Sequence, residues 1–336
     1  MEKYKIAIIG LGNRACEDHF PSIIDSDRCV LVSVCDKNKE IALKFSEKYN
    51  VPYYTSCKNL LDAHDLDFAI LSTSHDAHLE LVQLLSSRGI HILKEKPFAR
   101  NFKEAMEMKK AVESQHVEMM ITLQRRFNPI YKSFESLIKH IGKPFFIEGK
   151  YSLFVNNPGE GWRGNRLKSG GGCILDMGYH LIDLIIWYFG LPSAVHADFS
   201  AVADPDSSYD AEDTASVLFR YSNELFGSVI FSRYYPPKTE YLKVLGTKGV
   251  IELQRGSIRR LRSDGSVADS LTREIAWPAA AIEQVEYFCE VIDGEAVNIG
   301  SPNVHLNHMA FTQSCYDSYE RKEYVNPNLY LEGMNG

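Results

Sequence analysis

Long apolar runs are missing from this sequence of 336 residues. Its most hydrophobic stretch, Leu181 to Phe189, is interrupted by Asp183 and falls short of the roughly 18 residues that a spanning helix needs, so no membrane partner is expected. The opening MEKYKIAIIGLG has no cleavage pattern and its apolar run meets glycines after Ile9, so no secretory leader is expected. Cysteine is sparse and unordered. The seven residues stand at positions 16, 29, 35, 57, 173, 289 and 315, with no CxxC pair and no His/Cys ligand spacing. Neither a disulfide framework nor a metal site is indicated, which points to a reduced cytoplasmic protein. A basic excess is missing too: Lys and Arg total 37 against 44 Asp and Glu, a net charge of −7. Nucleic-acid binders carry the opposite balance, so no nucleic-acid partner is expected.

What remains is an ordinary globular composition, 45% hydrophobic and 24% charged, at a length that suits two domains. Nearly continuous apolar runs at Tyr4–Ile9, Val30–Cys35, Phe68–Ser72, Ile90–Lys94 and Met119–Thr122 read as strands buried on both faces. Helical spacing fills the gaps at Asn38–Tyr49, Ala77–Arg88 and Phe102–Gln115. Strand–helix alternation predicts a doubly wound parallel sheet with right-handed crossovers. The pattern changes near Thr122–Arg126. One long helix is expected from Ile174 to Phe189. Strand-like runs follow at Ala194–Val202, Thr214–Tyr221, Leu225–Tyr234, Tyr241–Leu245 and Val250–Leu253, then helices at Ala280–Ile292 and Val304–Arg321. Short turns between strands predict an open, mostly antiparallel sheet. The expected domains are 1–123 and 124–336, a doubly wound parallel-sheet domain and an α+β domain, with a late helix free to pack back on the first. An uncovered sheet needs a partner, so a homodimer or homotetramer is expected.

Gly10-Leu11-Gly12-Asn13-Arg14-Ala15 follows the first strand and opens a helix, the context in which GxGxxG/A binds a dinucleotide. Gly10 permits the turn, Gly12 admits a pyrophosphate, and Ala15 allows close packing. Asn13 and Arg14 sit where helix N–H groups would face phosphate. Asp36 ends the second strand, placed to accept hydrogen bonds from ribose hydroxyls and to repel a 2′-phosphate. NAD is therefore preferred; Lys37 beside it keeps NADP open as the alternative.

Lys94-Glu95-Lys96-Pro97 ends a buried strand on the side where open α/β sheets bind ligands. Glu95 and Lys96 are thus placed beside the cofactor, and Lys96 as a proton carrier or substrate contact. In Gly170-Gly171-Gly172 and the residues after it, Asp176, His180 and Asp183 fall at i, i+4 and i+7. On one unbroken helix that face sets an imidazole between two carboxylates, suited to proton transfer. The glycines are read as allowing backbone approach to a ligand. Gln124 and Arg126 follow the last strand of the parallel sheet, as cofactor and substrate contacts respectively. Trp162, Arg163 and Tyr179 are read as pocket-lining residues.

These elements together resemble the Gfo/Idh/MocA family of glucose–fructose oxidoreductases, inositol dehydrogenases and relatives. The resemblance rests on GLGNRA at 10–15, KEKP at 94–97, QRRF at 124–127, WR at 162–163, GGGCILDMGYHLID at 170–183, EDTAS at 212–216 and LGTKG at 245–249. It implies hydride transfer between a nicotinamide and a sugar or cyclitol carbon, with Lys96, Asp176 and His180 at the catalytic positions. It also implies an α/β domain whose open sheet forms an oligomer interface. Ser72-Thr73-Ser74-His75 departs from the Thr-Pro-Asn loop of many members; Ser72, Thr73 and His75 are read as cofactor contacts. Two rival readings are a glycoside-processing enzyme that oxidises its substrate transiently, and a non-catalytic NAD(P)-sensing regulator.

Overall fold

The computed structural model describes residues 3–203, 209–273 and 277–333. Two compact units share the chain. The first comprises 1–99, 103–127 and 275–305; the second comprises 100–102, 128–274 and 306–336.

The strands are β1 (Tyr4–Ile9), β2 (Cys29–Cys35), β3 (Tyr53–Tyr54), β4 (Phe68–Leu71), β5 (His91–Lys94), β6 (Met119–Ile121) and β7 (Pro144–Phe154). They continue as β8 (Ala194–Ser200), β9 (Thr214–Arg220), β10 (Phe226–Ser232), β11 (Tyr234–Gly246), β12 (Gly249–Gln254), β13 (Ser257–Arg262) and β14 (Val267–Thr272). The α-helices are α1 (Phe20–Ile24), α2 (Lys39–Tyr49), α3 (Cys57–Ala63), α4 (His78–Ser87), α5 (Phe102–Ser114), α6 (Pro129–Lys132) and α7 (Phe134–Leu137). After them come α8 (Arg166–Ser169), α9 (Tyr179–Phe189), α10 (Trp277–Ile292), α11 (Pro302–Arg321) and α12 (Asn328–Glu332).

In the first unit six parallel strands lie in the order β3-β2-β1-β4-β5-β6. The order reverses between β1 and β4, which opens a crevice at their carboxyl ends. Local chemistry starts and stops the helices: Asn38 caps α2 by accepting from the backbone N–H of Glu40 and Ile41. Phe20 stacks on Phe45 and Tyr49, at ring separations of 4.8 and 4.3 Å. The late helix α10 belongs here, and its Phe288 meets Phe68 of β4 edge-on at 5.3 Å. The helix opens directly after the glycine turn, at Asn13, and widens to a π-type turn over Ala15–His19 before α1.

The second unit is built on eight strands in the order β14-β13-β12-β11-β7-β10-β9-β8. Only β7 and β10 run parallel; every other neighbouring pair is antiparallel. The centre of this sheet, β7, is absent from the sequence expectations, as are β13 and β14. The sequence PFFIEGKYSLF sets charged Glu148 and Lys150 among its apolar residues, so it does not read as a continuous apolar run. One sheet face is buried. Gly149 makes the fit possible, because a Cβ there would lie 2.8 Å from Val229 and 3.0 Å from Leu181 of α9. The opposite face exposes Leu218, Phe226 and Ile230, with Phe146 and Phe226 paired across the parallel strands at 5.0 Å. Among the described residues no single helix is long and apolar enough to cross a membrane.

Candidate active site

In the first unit the expected cofactor residues follow the carboxyl ends of β1, β2, β4, β5 and β6. Gly10 adopts φ +89°, and a Cβ on it would sit 2.5 Å from the Ser72 carbonyl oxygen, so the switch point admits only glycine there. Gly12 faces open space, and Gly12, Asn13 and Arg14 are exposed. The Asp36 carboxylate bridges the turn: one oxygen accepts from Leu11 N–H at 2.9 Å, the other from Asn38 N–H at 2.8 Å. Each oxygen keeps a further lone pair, so the group fits a ribose diol. Lys37 next to it is exposed. These residues fit the dinucleotide that the sequence implies.

Arg14 reaches Asp18 at 3.2 Å and Glu17 at 3.3 Å, and Gln124 donates to Asp18 at 3.4 Å. His78 donates to the Thr73 carbonyl at 3.2 Å, holding the loop that carries Ser72 and Thr73, and His75 is buried beside it at a ring separation of 5.6 Å. The charged strand end resolves into separate tasks. Lys94 is fully buried and donates to the carbonyls of Glu95 and Pro97, both at 2.7 Å; burial pushes its pKa well below that of an ordinary lysine. Glu95 is buried and pairs with His19 at 2.9 Å. Burial alone would raise its carboxyl, but the His19 hydrogen bond, with Lys96 and Arg14 near, brings it down to about 2. Lys96 is half-buried at a cis peptide bond to Pro97. Arg126, expected as a substrate contact, is buried and donates to the Ile299 carbonyl at 2.5 Å.

The second unit corrects the expectation of one unbroken helix from Ile174 to Phe189. Cys173–Met177 form a π-type turn closed by Gly178 N–H on the Cys173 carbonyl at 2.8 Å, and α9 begins only at Tyr179. The three glycines are likewise required by the protein itself. A Cβ on Gly171 would lie 1.9 Å from the Tyr316 hydroxyl, and one on Gly172 would lie 1.9 Å from the Glu212 carbonyl. Glu212 anchors that turn: its carboxylate accepts from Ile174 N–H and the Tyr316 hydroxyl, each at 3.0 Å.

The Asp183 side of the expected imidazole between two carboxylates is corrected in the same way. Asp176 accepts from Arg233 at 3.2 Å and pairs with Arg163 at 3.3 Å. Asp183 turns inward and is bound by His308 of α11 at 2.8 Å. Tyr179, expected in the substrate pocket, is fully buried against the His308 ring at 5.5 Å. His180 stays half-buried, 6.3 Å from the Tyr151 ring. Trp162 is half-buried under the exposed Arg163, whose guanidinium lies 4.3 Å over its ring. Arg233, Tyr209, His308 and His19 were missed by sequence reasoning, which took Glu212 only as part of the EDTAS motif. A signal existed for Arg233, a lone cation inside the apolar run from Leu225 to Tyr234, since a charge in a strand interior needs a partner.

Comparison with known proteins agrees with this architecture. Residues 4–123 match the oxidoreductase family with an NAD-binding Rossmann fold, and residues 138–252 match the GFO/IDH/MocA C-terminal domain. The chain is 24% identical over 301 residues to D-apiose dehydrogenase of Paraburkholderia graminis, covering 85% of this chain and 77% of that protein. It is 26% identical over 247 residues to levoglucosan dehydrogenase of Pseudarthrobacter phenanthrenivorans, covering 65% of this chain and 63% of that one. A solved levoglucosan dehydrogenase, in complex with NADH and levoglucosan, superposes with a TM-score of 0.86 at 19% identity, over 97% of this chain and 99% of that one. With residues 4–123 and 138–252 matched to the two domains of one family, the chain belongs to the GFO/IDH/MocA oxidoreductases, enzymes with an NAD-binding Rossmann domain.

Proposed function

We propose that this enzyme transfers a hydride between NAD and a secondary hydroxyl or ketone carbon of a sugar, sugar derivative or cyclitol. The observation that carries the reading is the ionic seat of Asp176, held by two guanidiniums one turn before the half-buried His180. A carboxylate fixed in this way is suited to accepting a hydrogen bond from a polyol and orienting it. The similar D-apiose and levoglucosan dehydrogenases support a sugar-like substrate.

The nicotinamide supplies the hydride acceptor when the cofactor is bound. His180 and Lys96 are the two candidates for the group that takes the hydroxyl proton, and Asp176 orients the reacting alcohol. Gly10, Gly12, Asn13, Arg14 and Asp36 hold the dinucleotide, and Asp36 selects NAD over NADP. The exposed apolar face of the second unit's sheet, with Leu218, Phe226 and Ile230, supports a homodimer or homotetramer through that face.

The test is a spectrophotometric screen of myo-inositol, D-glucose, D-apiose, levoglucosan and sugar phosphates with NAD and with NADP. Reduction of the nicotinamide by at least one polyol is expected. Conversion of glycosides with no net NADH would overturn the reading in favour of transient oxidation.

A further inference from the structure

We propose that Arg233 is the positioning residue for Asp176, holding that carboxylate in the one orientation in which it meets substrate. This rests on the reading of Asp176 as a substrate-contacting residue.

Arg233 is the single residue between β10 and β11, so its backbone is fixed by the sheet on both sides. Its N–H donates to the Asp213 carbonyl and its carbonyl accepts from Val155, both at 2.8 Å. Its side chain is only 3% exposed. A guanidinium so enclosed is costly unless its donors are used. One nitrogen donates to the Tyr209 hydroxyl at 2.7 Å, and another donates to Asp176 at 3.2 Å. Tyr209 commits its own proton to the Glu212 carbonyl at 2.9 Å, which leaves a lone pair turned to Arg233. The relay Glu212–Tyr209–Arg233–Asp176 therefore has a defined direction of donation at every link. Glu212 also anchors the turn that carries Asp176, through Ile174 N–H. The loop and the carboxylate on it are thus fixed from the same interior point.

Arg163 is the competing holder of Asp176, but its side chain is 49% exposed, so solvent weakens its grip.

A double-mutant cycle tests the assignment, using the polyol of the panel above that is turned over fastest. Arg233→Gln is expected to lower kcat by ~10-fold or more, in line with the cost of small misplacements. Cofactor affinity by NADH fluorescence should stay within about twofold. In an Asp176→Asn background the same substitution should cost less than about twofold more, because a positioning residue for Asp176 has little left to position once that carboxylate is gone. Arg233→Lys should recover part of the loss. Multiplicative losses in the double variant would overturn the proposal, as would near-normal kcat in Arg233→Gln. Full turnover in Asp176→Asn alone would instead remove the reading beneath it.

If Arg233→Gln does not fold, Tyr209→Phe releases the guanidinium more gently and should show a smaller kcat loss with the same non-additivity. A crystal structure of either folded variant gives a measure independent of substrate. A changed Asp176 rotamer is expected, and an unmoved carboxylate would overturn the proposal.

Discussion

Asp183 of α9 accepts a hydrogen bond from His308 of α11 at 2.8 Å, and neither side chain has any solvent exposure. This contact ties two helices of the second unit together. His308→Leu leaves a buried carboxylate without that donor, which is expected to lower the unfolding free energy by about 3 kcal/mol. Urea denaturation checks this; an unchanged midpoint would show that the pair adds nothing to stability.

The chemical step is tested by Lys96→Ala and His180→Ala. Each is expected to lose at least ~10²-fold in turnover while cofactor affinity changes modestly, since the phosphate turn and Asp36 are left intact. Turnover near normal in both variants would make the two residues structural. A loss in only one would identify that residue as the proton carrier.

The proposed preference for NAD rests on Asp36, whose two oxygens are already oriented by Leu11 and Asn38. Calorimetric titration is expected to give tighter binding of NAD than of NADP, and Asp36→Ala should narrow the gap. Tighter NADP binding by the unaltered enzyme would promote Lys37 to a phosphate contact.

Glu95 gives stability a defined acid dependence. Its carboxyl is brought down to about 2 in the folded protein, from an ordinary 4.5. A depressed carboxylate contributes stability that is fully present above the unfolded value and is lost as pH falls toward the folded one. The difference in unfolding free energy between wild type and Glu95→Gln should therefore be flat above about pH 5. It should shrink between about pH 5 and 2, by about 3 kcal/mol in all. A difference independent of pH would show that His19 does not hold the group ionised.

Assembly through the second unit's open sheet is checked by light scattering. A dimer or tetramer is expected at micromolar protein, and Phe226→Glu with Ile230→Lys should shift it toward monomer. A monomeric mass for the unaltered chain would refute the interface.

The parallel sheet was legible because its strands are buried on both faces and so are written as short, nearly continuous apolar words such as YKIAII. The edge strand β3 has only two residues, and β7 is half-buried and interleaves charges, so neither produces such a word. The sequence offers candidate site residues by type, and it does not show how they pair. The spacing of Asp176, His180 and Asp183 assumes ideal helical geometry, and the π-type turn before Gly178 breaks that assumption. The partners that decide what each carboxylate does come from far along the chain, Arg233 for Asp176 and His308 for Asp183. Burial of a charge announces that a partner exists without naming it.

The place of α10 in the first unit also sets an order of events during synthesis. Val285, Phe288 and Cys289 share one apolar cluster with Ile6, Ile8, Phe20 and Phe68. Those early residues leave the ribosome long before α10 does, with the sheet of the second unit made in between. At ~5–20 residues per second, the interval from the end of β6 to the end of α10 is roughly 10–35 s. For that time the nascent nucleotide-binding sheet lacks the part of its cover that α10 supplies, so a ribosome that stalls within the second unit leaves the first one unfinished as well.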